Sequence, residues 1–81
     1  MFRNAVRSVN LKGVIMPNDF NGNGEPIEIV LETSNFYQYR IAQNFKGREL
    51  MDHTFKEVQL EGVVDNEGEP PILTIDNYRI L

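Results

Sequence analysis

The chain has no cysteine and only one histidine among its 81 residues. The first absence removes disulfides, thiolate zinc sites and thiol nucleophiles together, and it fits a reducing compartment. The second leaves no multi-histidine metal site within one chain. No apolar run approaches the ~20 residues of a membrane-spanning helix, and no lipidation motif stands at either end. Arg3 and Arg7 have the charge of a secretory leader, but Asn4, Ser8, Asn10 and Lys12 break any apolar run beside them. The expectation is a cytoplasmic protein with no membrane contact. Like-charge blocks are also missing, so disorder is expected only in the first few residues. With 41% hydrophobic and 25% charged residues, the composition is that of one ordinary domain, residues 1–81 with a core over about 6–81. Its size is near the lower limit for folding without disulfides or metal.

What the chain does have is a pattern that occurs twice. Leu11, Lys12, Gly13, Val14, Ile15 leads to Gly24, Glu25, Pro26, Ile27 and closes at Tyr39, Arg40, Ile41. Leu60, Glu61, Gly62, Val63, Val64 leads to Gly68, Glu69, Pro70, Pro71, Ile72 and closes at Tyr78, Arg79, Ile80. Each copy reads as a strand with a central glycine, a tight acidic loop and a returning strand.

Alternation places five strands. Val9, Leu11, Gly13 and Ile15 share one parity of a first strand over 6–16, in which Gly13 should mark a bend or bulge. Residues 17–26 collapse into Asn, Asp and Gly and read as a loop. Ile27, Ile29 and Leu31 alternate with Glu28, Val30 and Glu32 in a second strand. In a third, Tyr37, Tyr39 and Ile41 form the apolar side, with Phe36, Gln38 and Arg40 opposite. One or two helical turns fit after Gly47, through Arg48 to Asp52. Val58, Leu60, Gly62 and Val64 mark the inward side of a fourth strand. The fifth, Ile72 to Leu81, changes parity between Ile75 and Tyr78, so Asp76 and Asn77 should form a bulge. Five short strands leave open edges unless the sheet curls shut, and glycines at matched positions permit the coiling. The expected fold is all-β: a five-stranded antiparallel barrel with one short helix between strands 3 and 4.

This arrangement resembles the oligonucleotide/oligosaccharide-binding fold, the OB-fold. It is similar in particular to small bacterial single-barrel proteins with a Gly-x-Glu-Leu turn before a strand ending in Gly-Val, here Gly47, Arg48, Glu49, Leu50 and Glu61, Gly62, Val63, Val64. The likeness runs from about Val6 to Leu81. It implies a ligand lying across strands 2 and 3, between the loops joining strands 1 and 2 and strands 4 and 5. Lys12, Phe36, Gln38 and Arg40 are the candidate contacts there, one aromatic platform with two cations and an amide. Both flanking loops are acidic, however. Residues 17–35 sum to -4 and residues 57–81 to -5, where a phosphate backbone requires Lys or Arg. Contact with protein or with a second copy is therefore the leading reading, and single-stranded nucleic acid is the alternative.

Two further constellations carry weaker signals. Asp19, Asn21, Asn23 and Gly24 match the opening of a calcium loop, but Val30 stands where a bidentate glutamate belongs. A plain hairpin loop accounts for the same residues. His53, beside Asp52 and Thr54, has no nucleophile or oxyanion motif to serve and is read as a helix-end histidine. Tyr37, Tyr39, Tyr78, Phe45, Phe55, Leu50 and Met51 are assigned to the core and its helical plug. No cofactor and no enzymatic activity are expected.

Overall fold

Leu11 and Leu60 begin the two repeats, and in the computed structural model, which describes residues 6–81, they pair directly across an antiparallel ladder. Arg3 and the expected N-terminal disorder lie outside the described residues. The two strands are β1 (Val6–Phe20) and β4 (Glu57–Asp65). Their sequences run in step as Val9, Leu11, Gly13, Ile15 and Val58, Leu60, Gly62, Val64. Because the strands are antiparallel, Gly13 falls opposite Val58, and Val9 opposite Gly62. The sequence repeat is thus a local two-fold about the leucine pair.

β1 reaches beyond the end expected at Met16. Its first part, Val6 to Val14, pairs with β4, and its second part, Val14 to Phe20, pairs with β2 (Pro26–Glu32). Val14 belongs to both ladders, since its register partners are Glu57 and Glu32. A strand shared in this way must coil sharply, and Gly13 sits at the turnover. A Cβ on Gly13 would lie 2.5 Å from the Glu32 carbonyl oxygen, so the glycine is there for close approach. No bulge forms at it in the β1–β4 ladder. Residues 17–20 were expected in a loop but extend the hairpin, with register shifts between Pro17 and Phe20.

The fourth strand is as expected, with Val58, Leu60, Gly62 and Val64 all buried. It pairs with β5 (Ile72–Ile80), where Gly62 meets Ile75 and Glu61 meets Asn77. Asp76 is the extra residue, so the expected bulge is present and it explains the parity change. Past it, Tyr78 pairs with Leu60 and returns to the inner side.

The strand order is β1-β2-β3-β5-β4, closed on itself. β3 (Gln38–Ile41) pairs antiparallel with β2 but parallel with β5, through Arg40–Ile72 and Ile41–Leu73. The purely antiparallel barrel is therefore corrected to a mixed one. An odd ring cannot alternate direction all the way round, so one neighbouring pair must be parallel. The β3–β5 seam is short. Above it α1 (Phe45–Leu50) and a 3-10 turn (Met51–His53) cover the barrel end. The helix begins before Gly47 rather than after it. Gly47 is buried, and a Cβ there would lie 2.0 Å from the Ala42 carbonyl oxygen.

Eleven aliphatic side chains are buried, ten of them in one interior cluster that includes Ile15, Leu31, Leu50 and Leu60. Burial of each contributes roughly 1.5–3 kcal/mol. Val30, assigned to the outer face, is the eleventh and is buried outside that cluster. Its register neighbours Met16 and Arg40 flank it on the barrel exterior. Leu50, Met51, Tyr39 and Tyr78 join the core or pack against it as expected. Phe45, Phe55 and Tyr37 do not: they are 75%, 68% and 46% exposed. Ile27 is also exposed, because the end of the hairpin projects past the interior.

Candidate binding surfaces

Register fixes the outer face of β1, β2 and β3 as two rows across the strands. One row is Val14, Glu32, Gln38 and the next is Met16, Val30, Arg40. Lys12 lies two residues before Val14 on the same face, with Gln59 of β4 as its partner. Lys12, Gln38 and Arg40 thus share a face, but β2 sets carboxylates between them. Arg40 Nε is 2.7 Å from Glu28 Oε2, and Glu32 stands opposite Gln38. A half-exposed pair of this kind adds little stability. Its effect is on the field: the cation nearest a nucleic acid on this face already has a counter-charge.

Phe36, the fourth candidate, is outside β3. It sits in the β2–β3 turn with φ of +62°, its N–H donating to the Thr33 carbonyl at 2.9 Å. The ring is 81% exposed. Tyr37 beside it makes an edge-to-face contact with Tyr39, centroids 4.9 Å apart. Phe55, between the 3-10 turn and β4, has the same left-handed backbone at φ +69°. Its N–H donates to Ile15 and fixes it against β1.

The acidic loops are internally bonded. Asn21 Oδ1 accepts the N–H groups of Asn23 and Glu25 at 2.8 and 3.0 Å, and its Nδ2 donates to Glu25. Gly24 supplies the positive φ of +80° that this turn requires. Asp19 Oδ1 accepts from the Phe20 N–H. The asparagine oxygens that suggested calcium are thus partly occupied by a hairpin staple, and Asn23 contributes its backbone N–H. In the β4–β5 loop Asp65 Oδ1 accepts the Glu67 N–H at 3.0 Å. Among the described residues no three His, Cys, Asp or Glu side chains gather as a metal site would need.

At the α1 end, Tyr78 Oη donates to Glu49 Oε1 at 2.9 Å while Lys46 Nζ lies 5.8 Å from the ring centre. The hydrogen bond to the Glu49 carboxylate, with burial and the charges of Glu49 and Asp52, raises the Tyr78 pKa above its ordinary value. His53 ends the 3-10 turn, its Nδ1 3.4 Å from Lys56 Nζ and its ring 6.3 Å from Tyr78. Among the described residues no hydrogen bond joins it to its sequence neighbours Asp52 or Thr54.

Over the β1, β4 and β5 strands, a polar groove of about 260 Å³ is lined by Asn10, Gln59, Glu61, Asn77 and Arg79 among others. A ladder crosses it, Arg79 donating to Gln59 at 3.0 Å and Gln59 to Asn10 at 3.2 Å. The groove lies next to Lys12, whose register partner Gln59 lines it, and apart from Gln38 and Arg40 on β3.

No protein family, curated sequence or solved structure matches the chain. Among the described residues no helix is long and apolar enough to cross a membrane.

Two residues with structural consequence were not singled out from sequence. Gln43 Nε2 donates to the Ile27 carbonyl on β2. Asn44 Nδ2 donates to the Ile75 carbonyl on β5 at 3.0 Å, and its Oδ1 accepts the Gly47 N–H at 2.9 Å as the cap of α1. An asparagine ahead of helix formers is a capping signal, and it was available three residues before Gly47. Nothing local marks the bonds to β2 and β5, because both span long stretches of chain.

Proposed function

We propose that this is a small non-enzymatic binding module on an OB-fold-like barrel, and that it contacts protein, either a partner or a second copy. The OB-like reading is supported by a coiled β1 shared between β2 and β4, a parallel β3–β5 seam, and a helix between β3 and β4 over the barrel end. The observation that carries protein contact is the exposure of Phe36, Phe45 and Phe55, at 81%, 75% and 68%. Large aromatics in the open are rare at this density unless something covers them. The cations of the β2–β3 face, by contrast, are interleaved with Glu28 and Glu32.

The second reading is single-stranded nucleic acid on that face, with Lys12, Gln38 and Arg40 on one side of the sheet and Phe36 as a stacking ring beyond it. Titration of labelled protein with single-stranded DNA and RNA at low salt separates the two. The expected result is no binding, or weak binding without movement of the Gln38 and Arg40 amides. Tight, salt-sensitive binding lost in Arg40→Ala or Phe36→Ala would overturn the protein-contact reading.

A further inference from the structure

We infer that two copies of this chain associate about a two-fold axis through the barrel end that carries α1. This rests on the protein-contact reading above and names its partner and its surface. Strand directions sort the exposed side chains by end. The β1–β2 hairpin, the connection from β3 through α1 to β4, and the end of β5 lie at one end; the β2–β3 turn and β4–β5 loop lie at the other. Of nine exposed large hydrophobics among the described residues, Phe20, Ile27, Phe45, Phe55, Ile80 and Leu81 fall at the α1 end. They are scattered over sixty residues of sequence and are gathered only by topology.

Phe55 adds an independent sign. It holds a left-handed backbone that glycine or asparagine would adopt with less strain, and it places its ring in solvent. Phe36 shares this combination at the other end, so it marks a ring with a use outside turn and core, and the gathering of the other five apolar side chains is what places that use at the α1 end for Phe55.

Charge selects the second copy as the occupant. Residues 17–28 of the hairpin carry Asp19, Glu25 and Glu28 with no cation of their own, and of the three Glu28 is already paired with Arg40. The connection at the same end carries Lys46, Arg48 and Lys56 against Glu49 and Asp52, and Glu49 accepts from Tyr78. A two-fold sets the acidic hairpin of each copy against the basic connection of the other, twice, around an aromatic centre. Pairing through strand edges is not the route. The barrel is closed, Pro17 removes a donor from the projecting part of β1, and Gln43 caps the projecting part of β2.

Sedimentation velocity of the full chain over a concentration series, at low and high salt, tests this. A monomer–dimer equilibrium that weakens with salt is expected. Phe45→Glu should weaken it by roughly tenfold or more, as truncation of a central anchor does. Phe55→Asn should weaken it while leaving thermal stability equal or higher, which separates lost contact from lost fold. Phe36→Glu, at the other end, should leave it unchanged. The inference is overturned by a wild-type chain still monomeric at about 1 mM, or by a dimer indifferent to Phe45→Glu and Phe55→Asn. Such a result with oligonucleotide titrations also silent removes the homodimer alone and leaves contact with another protein standing.

Discussion

The β1–β2 and β4–β5 hairpins start from nearly the same residues and meet different fates. In each, a glycine on the inner side presses against a carbonyl of the returning strand, Gly13 on Glu32 and Gly62 on Thr74. The first hairpin continues past the barrel and projects Phe20 and Ile27 into solvent, whereas the second stays on the wall for its full length. Their loops differ too, since Asn21 bonds across one tip through three contacts and Asp65 makes a single turn bond in the other. The repeat therefore specifies a coiled hairpin and leaves its use open. What breaks the equivalence is β3, which fills the gap between the two returning strands but runs antiparallel to β2 and parallel to β5. The segment after it is asymmetric in a related way: Gln43 caps β2 of the first hairpin and Asn44 caps β5 of the second.

The glycines provide the largest test of that comparison. A Cβ would lie 2.2 Å from the Thr74 oxygen at Gly62 and 2.5 Å from the Glu32 oxygen at Gly13, in both cases against backbone. Each Gly→Ala variant should lose roughly 3 kcal/mol or more in urea denaturation, with Gly62→Ala the worse. Equal tolerance of alanine at both sites would mean that close approach is not what the repeat encodes.

The consecutive amides give a smaller contrast. Asn44→Ala removes both a helix cap and the partner of the Ile75 carbonyl, so it should cost about 2 kcal/mol. Gln43→Ala frees one exposed carbonyl that water can satisfy, and a cost of about 0.5 kcal/mol is expected. Chemical denaturation of the two single variants checks the order, and a reversal would place the closing strain at the first hairpin.

Tyr78→Phe is the smallest change and is read by pH. The folded-state pKa of Tyr78 is raised above 10.0, so the folded chain holds this proton more tightly than the unfolded chain. Its contribution is complete below pH 10 and is lost as pH climbs through the folded value. Thermal melts from pH 8 to 11 should show a steeper alkaline decline in the wild type than in Tyr78→Phe. Parallel curves would detach β5 from Glu49 of α1.

Much of the wall was legible in the chain. Alternation at Val58, Leu60, Gly62 and Val64 marks an inner side because a strand puts successive side chains on opposite faces, and the parity change around Asp76 marks a bulge for the same reason. Of the candidate contacts, Gln38 and Arg40 were placed correctly on the outer face and Lys12 joins them there. Phe36 was not, since strand propensity does not reveal that a turn would end one residue later. The pairing of Arg40 with Glu28 was equally hidden, as it depends on which strands become neighbours.

The sequence by itself determined two glycine-centred hairpins, their inward residues and the bulge in the last strand. These follow from the two-residue period and from steric room at single positions, both local properties. Only the tertiary structure decided the parallel seam, the burial of Val30, the neutralised cation on the outer face, and the gathering of Phe45 and Phe55 at one end. Each of those depends on closing the ring, and closure brings together residues whose separation along the chain carries no trace of the contact.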